Sequence, residues 1–295
     1  MCVADPSGAA VASASVGNLK LERKRDLSAF RRMAIGTWDD PRDPQAYGRI
    51  TLAMDEVLRY VEAFRGATGK HLTVTHLMAK AMGRVLEEVP EANAILRFGR
   101  IYLRKEVTVA FQVAMRDPTT GQIDLSAVKL VAPQKMALTA IVDEFEAHAA
   151  AVRAGKDAEL EKTRQTFRKV PPLLIGKILR IVDFFAYRLN LDLRWAGVPR
   201  DAYGSILVTN VGVLGLEEAY APLLGPGHVG LIAAMGEIRE VPVVRGGAIV
   251  PGRVMALTAP FDHRLLDGAH AAAMVTRLRA LLEDPFGHLD PIPGA

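Results

Sequence analysis

The chain has one cysteine, Cys2, in 295 residues. An intrachain disulfide is therefore excluded, and so is a metal site built from several thiolates. This usage fits a reducing compartment, and a cytoplasmic location is expected. Aromatic residues make up 6% of the sequence, too few for a base-stacking surface. Neither sign of charge dominates, since 37 Lys and Arg stand against 33 Asp and Glu. That balance argues against nucleic-acid binding. Long apolar runs are also missing. The best stretch, Pro172 to Leu191, is interrupted by Lys177, Arg180, Asp183 and Arg188, whereas a spanning helix needs roughly 20 apolar residues. The start, MCVADPSGAAVASASVGN, lacks a basic segment and is broken by Asp5 and Pro6, so no secretory signal is expected. No pair of histidines has metal-ligand spacing, and no metal is expected. His71, His76, His148, His228, His270 and His288 are read as non-catalytic.

What is present is a globular composition, half hydrophobic and 24% charged. Residues 1–19 are small and polar and read as a disordered tail. Lys20 to Ile35 is expected to be a basic helix, Arg49 to Met54 a strand, and Asp55 the cap of a helix over Glu56 to Arg65. Thr73 to Val89 predicts a helix, with Leu77, Ala81, Val85 and Val89 at four-residue spacing and Pro90 as its stop. Alternation predicts strands within Ile101 to Met115 and over Ile123 to Leu130, separated by a turn at Asp117 to Gly121. Leu138 to Arg153 reads as a helix. An apolar stripe, Leu174, Ile178, Ile181, Val182, Phe185 and Leu189, runs through a segment rich in cations. It reads as a helix packing on its own domain or a neighbouring subunit, or else as a membrane-surface or partner-docking helix. Strands follow at Ser205 to Asn210, Val229 to Gly236, Pro242 to Val244, Ala248 to Val250 and Arg253 to Ala259. Gly246-Gly247 marks a hairpin turn and a helix spans Ala269 to Leu282. Without a strict βαβ alternation, the expected fold class is α+β: one domain with a mixed β-sheet flanked by helices.

The strongest chemical signal is Phe261-Asp262-His263-Arg264-Leu265-Leu266-Asp267-Gly268, where a strand gives way to a helix. The unperturbed pKa of histidine, about 6.5, suits proton transfer near neutrality. A thiol with a pKa near 8.5 gains nucleophilicity from such a base. Gly268 would permit a tight turn into the last helix. Taken alone, a His and an Asp at this spacing are more often a surface feature of a helix.

The surroundings point further. Gly204-Ser-Ile-Leu-Val-Thr-Asn-Val-Gly precedes the motif, followed by His228-Val-Gly-Leu-Ile-Ala-Ala-Met-Gly-Glu-Ile, Pro242-Val-Val and Arg253-Val-Met-Ala-Leu-Thr. The series resembles the catalytic domain of dihydrolipoamide acyltransferases, the core subunits of 2-oxoacid dehydrogenase complexes. More distantly it is similar to chloramphenicol acetyltransferase, which shares the H-x-x-x-D-G ending. The first half is similar through Arg31-Arg32-Met33, Leu72-Thr73 to Lys80-Ala81, and Pro90-Glu91-Ala92-Asn93-Ala94. The resemblance covers about residues 25 to 155 and 203 to 285.

The resemblance implies a chloramphenicol acetyltransferase-like fold over residues 20–295 and transfer of an acyl group between coenzyme A and a thiol acceptor. His263 would be the general base, and Thr209 would donate to the oxyanion. Asp267 would hold the loop through Arg32, or through Arg31, while Asn210 would satisfy backbone groups. Coenzyme A enters as a substrate. The expected acceptor is dihydrolipoamide on a separate carrier, because only about 20 residues precede the similarity. A homotrimer or a multiple of it is implied, with His263 and Thr209 supplied by adjacent subunits and a channel admitting the two thiols from opposite sides. The segment from about 159 to 202 is expected to be a helical insertion. Two alternatives remain: a non-catalytic trimeric assembly core recruiting dehydrogenase subunits, and an acyltransferase acting on a non-lipoyl small molecule.

Overall fold

The computed structural model describes residues 18–25, 44–116, 123–154, 172–223 and 227–294. Its central sheet has six strands in the order β2-β9-β8-β7-β5-β6. These are β2 (Gln45–Ala53), β5 (Thr108–Arg116), β6 (Ile123–Val131), β7 (Ile206–Asn210), β8 (Ile232–Arg245) and β9 (Ala248–Asp262). The sheet is mixed, as expected: β7 runs parallel to β5 and β8, while the other pairs are antiparallel. A second sheet, β1-β4-β3, is built from β1 (Leu21–Arg23), β3 (Ala94–Arg97) and β4 (Arg100–Arg104).

Helices α1 (Asp55–Thr68), α2 (Val74–Glu88), α3 (Leu138–Arg153) and α5 (Gly268–Glu283) bury their apolar stripes in one cluster with Leu52, Phe111, Val208, Met235 and Leu257 of the sheet. The chain also forms α4 (Pro172–Asp183) and a short helix α6 (Pro285–His288). Helix α2 is the central one. Thr73 caps it, with the His76 ring accepting from Thr73 N–H in the reciprocal position where Glu is more usual. Lys80, buried within it, pairs with Asp290 at 3.0 Å. Alternation along β7 to β9 turns Val208, Met235 and Leu257 toward the helices and Leu207, Ile232 and Thr258 away from them.

Several expectations change. Asn18 and Leu19 are buried and bonded to Asn190, so ordered structure begins within the expected tail 1–19; residues 1–17 lie outside the described residues. Leu21–Arg23 is a strand rather than the start of a basic helix, because it pairs with Tyr102 to Arg104 of β4. Helix α1 starts at Asp55, whose carboxylate is engaged by Arg245 and by the amide of Arg253 rather than capping its own helix. The four strands read between Val229 and Ala259 are the two arms of one long hairpin turning at Gly246-Gly247, both glycines at positive φ. Pro242 is tolerated because β7 pairs only as far as Met235, leaving that edge of β8 with no ladder to serve. The turn expected at Asp117 to Gly121 lies outside the described residues.

Candidate functional site

His263 follows the last residue of β9, and its backbone is fixed on both sides. Its N–H donates to Pro44 O at 2.8 Å, and the preceding Asp262 N–H donates to Gly230 O at 2.9 Å. Asp262 O then accepts from the amides of Leu265 and Leu266, closing a tight turn. Leu265 and Leu266 anchor that turn in the core. Gly230 makes room for it, since a methyl group there would stand 2.9 Å from Leu265 Cδ1. The Asp262 carboxylate, itself buried, receives Arg264 Nε at 3.0 Å, Arg264 Nη2 at 2.8 Å and the Arg264 amide at 2.9 Å. His263 between them is partly buried: its Nδ1 is shielded from solvent and its ring lies 6.0 Å from that of Phe261.

Asp267 holds the loop in a way the sequence did not indicate. It caps α5, its Oδ1 accepting from the amides of Ala269 and His270 and lying 2.6 Å from His270 Nδ1. The expected partners Arg31 and Arg32 lie outside the described residues. Gly268 is not required for a turn in this chain: its φ is not positive, and a methyl group there would meet nothing.

Thr209 and Asn210 end β7. Thr209 shares the sheet face of Leu207, away from the helices. Asn210 Nδ2 points to a side chain, donating to Thr75 Oγ1 at 3.4 Å, not to the backbone groups expected. Thr209 stands opposite Ala234, which stands opposite Thr258. His263 lies five residues beyond Thr258, so it is separated from Thr209 by roughly 16 Å along the strands and two strand spacings across them. One chain does not bring the two side chains together.

At the His263 end of the sheet lies a contact that sequence reading missed. His228, at φ 47°, meets Asp183 of α4 at 2.6 Å, and the Tyr187 ring lies 4.9 Å from the imidazole. Burial pushes the Tyr187 hydroxyl up from its usual pKa. The signal available was the Gly225-Pro226-Gly227 run before His228; nothing local marked Asp183 as its partner.

The family model of the 2-oxoacid dehydrogenases acyltransferase (catalytic domain) matches residues 28–168 and 201–289. A Bacillus subtilis protein, the dihydrolipoyllysine-residue acetyltransferase component of the acetoin cleaving system, is 24% identical over 217 residues. That match covers 74% of this chain and 43% of the relative. The corresponding component of the pyruvate dehydrogenase complex from Bacillus subtilis is 37% identical over 81 residues, covering 28% of this chain and 18% of the relative. The chain thus spans less than half the length of these curated relatives. Among solved structures, a probable dihydrolipoamide acetyltransferase from Listeria monocytogenes superposes with a TM-score of 0.61 at 16% identity, covering 92% of this chain and 98% of that one. The cubic core of a pyruvate dehydrogenase multienzyme complex also gives 0.61, at 21% identity, covering 90% and 93%. At these identities the structures establish the fold.

Proposed function

Because the chain belongs to the 2-oxoacid dehydrogenase acyltransferase (catalytic domain) family, we propose that it transfers an acyl group between coenzyme A and a thiol acceptor. The acceptor is dihydrolipoamide, in line with the dihydrolipoyllysine-residue names of its relatives. His263 Nε2 takes the proton of the attacking thiol. The thiolate adds to the thioester carbonyl, and Thr209 Oγ donates to the oxyanion that forms. Collapse of the intermediate expels the second thiolate, which recovers the proton from the imidazolium.

The observation that carries this reading is the placement of His263. It is half-buried at a strand end, with Asp262, Arg264 and Pro44 fixing the backbone on either side. Another copy supplies the second participant, a reading supported by the roughly 16 Å along the strands and two strand spacings that separate Thr209 from His263 within one sheet. A homotrimer supplies it. Supporting that assembly, the loop directly after Thr209 exposes Val213 (76%) and Leu214 (72%), an apolar surface of the kind subunit contacts cover.

The test is His263→Ala in a thioester exchange assay between acyl-coenzyme A and dihydrolipoamide. A fall of about 10²- to 10⁴-fold is expected; a rate equal to that of the unmodified protein would exclude the mechanism.

A further inference from the structure

Residues 169–200 fall between the two matched parts of the family, and their described portion exposes a group of large apolar side chains. Helix α4 continues through one wider turn, Phe184–Arg188, into a short coil. Its inner side is docked: Ala186 and Tyr187 are buried with Leu19 and Ile95, and Val182 packs beside them. Arg97 donates to Arg188 O, and Asn190 binds Leu19 on both backbone groups. The outer side is bare. Leu174 is 45% exposed, Ile181 58%, Phe184 43%, Phe185 42% and Trp195 83%.

Charge on this segment is one-sided. Lys177, Arg180, Arg188, Arg194 and Arg200 stand against Asp183 and Asp192. Asp183 is engaged by His228 and Asp192 by Arg194. Lys177 and Arg180 are exposed on the same helix as Leu174 and Ile181. A contact between copies of this chain would gather apolar residues in a centre depleted of charge. Aliphatic and aromatic residues interleaved with cations instead match the boundary between lipid headgroups and acyl chains.

We propose that the outer side of residues 172–200 is a docking surface for an anionic lipid bilayer. Ile181, Phe184, Phe185 and Trp195 enter the headgroup region while Lys177 and Arg180 pair with lipid phosphates. The attachment is peripheral: the side chains enter only the headgroup region, and among the described residues no helix is long and apolar enough to cross a membrane. The proposal is independent of the acyl-transfer reading, because it uses none of that reading's residues.

The experiment is flotation of the full chain with phosphatidylcholine vesicles with or without roughly a quarter phosphatidylglycerol. The unmodified protein should float with the anionic vesicles only, and Trp195→Phe should remove a vesicle-induced blue shift of the fluorescence. The double variant Ile181→Ser/Phe185→Ser should lower the bound fraction about tenfold, and Lys177→Glu/Arg180→Glu should abolish the preference for the anionic lipid. Thermal midpoints equal to that of the unmodified protein confirm that both variants fold. The proposal is overturned if the unmodified protein stays at the bottom of the gradient. It is overturned equally if the Ile181→Ser/Phe185→Ser variant floats undiminished, or if that variant alters only the oligomeric mass, which would assign the surface to a second copy.

Discussion

Asp262 and Arg264 clasp each other across His263, carboxylate to guanidinium at 2.8 and 3.0 Å. Alternate residues are thereby joined, and the partly buried residue between them is held by its backbone. The pair is largely shielded from solvent and bidentate, the geometry in which arginine and lysine are not interchangeable.

Asp262→Asn and Arg264→Lys should each lower kcat by about 10- to 100-fold with little change in KM, because a small displacement of a base costs rate rather than binding. Steady-state kinetics with acyl-coenzyme A varied at saturating dihydrolipoamide checks this. Because misfolded protein also lowers apparent kcat at constant KM, thermal midpoints are compared in parallel; rate losses that vanish once the folded fraction is allowed for would mean that the pair serves folding alone.

Thr209→Ala should cost about 10²- to 10³-fold in rate. Its relation to His263 can be tested by mixing. If each site takes His263 from one subunit and Thr209 from the next, refolding Thr209→Ala with His263→Ala in equal amounts restores about a quarter of the sites. Activity recovered after co-refolding, and absent when the two variants are refolded separately and then combined, is the expected result. No recovery would place both residues in one subunit's site or remove one of them from the mechanism.

His76 gives a pH dependence of stability. Burial, with lesser contributions from His71 and Arg65, depresses its pKa from the usual 6.5 to about 4. The unfolded chain therefore binds the extra proton first. Stability from this group is complete above about pH 6.5 and is lost as the pH falls toward 4, by at most roughly 3 kcal/mol. Urea midpoints at pH 7.5 and 5.0 should differ more for the unmodified protein than for His76→Gln. An unchanged difference would show that other groups carry the acid sensitivity.

Two glycines of the long hairpin should respond very differently to alanine. A methyl group on Gly236 would lie 1.8 Å from Glu217 O, a backbone atom with nowhere to move. Gly236→Ala should destabilise the protein by more than about 3 kcal/mol. Gly246, at φ 57° in open space, should cost only about 1 kcal/mol, the strain of a left-handed backbone. Chemical denaturation of both variants separates the two causes.

The sequence alone determined what depends on local pattern. Four-residue spacing and the Pro90 stop bounded α2 to within a residue. Alternation located β5 and β6, and Gly246-Gly247 located the hairpin turn. The H-x-x-x-D-G segment and its neighbours identified the family. Tertiary structure decided what depends on which surfaces meet. The strand Leu21–Arg23 exists because β4 offers it an edge. Asp183 finds His228 across 45 residues. The separation of Thr209 from His263 likewise follows only from the strand order and register. Periodicity and turn chemistry act over a few bonds and are written in the residues themselves. Pairing between distant segments is chosen by the shape and charge of surfaces that exist only after the chain has packed.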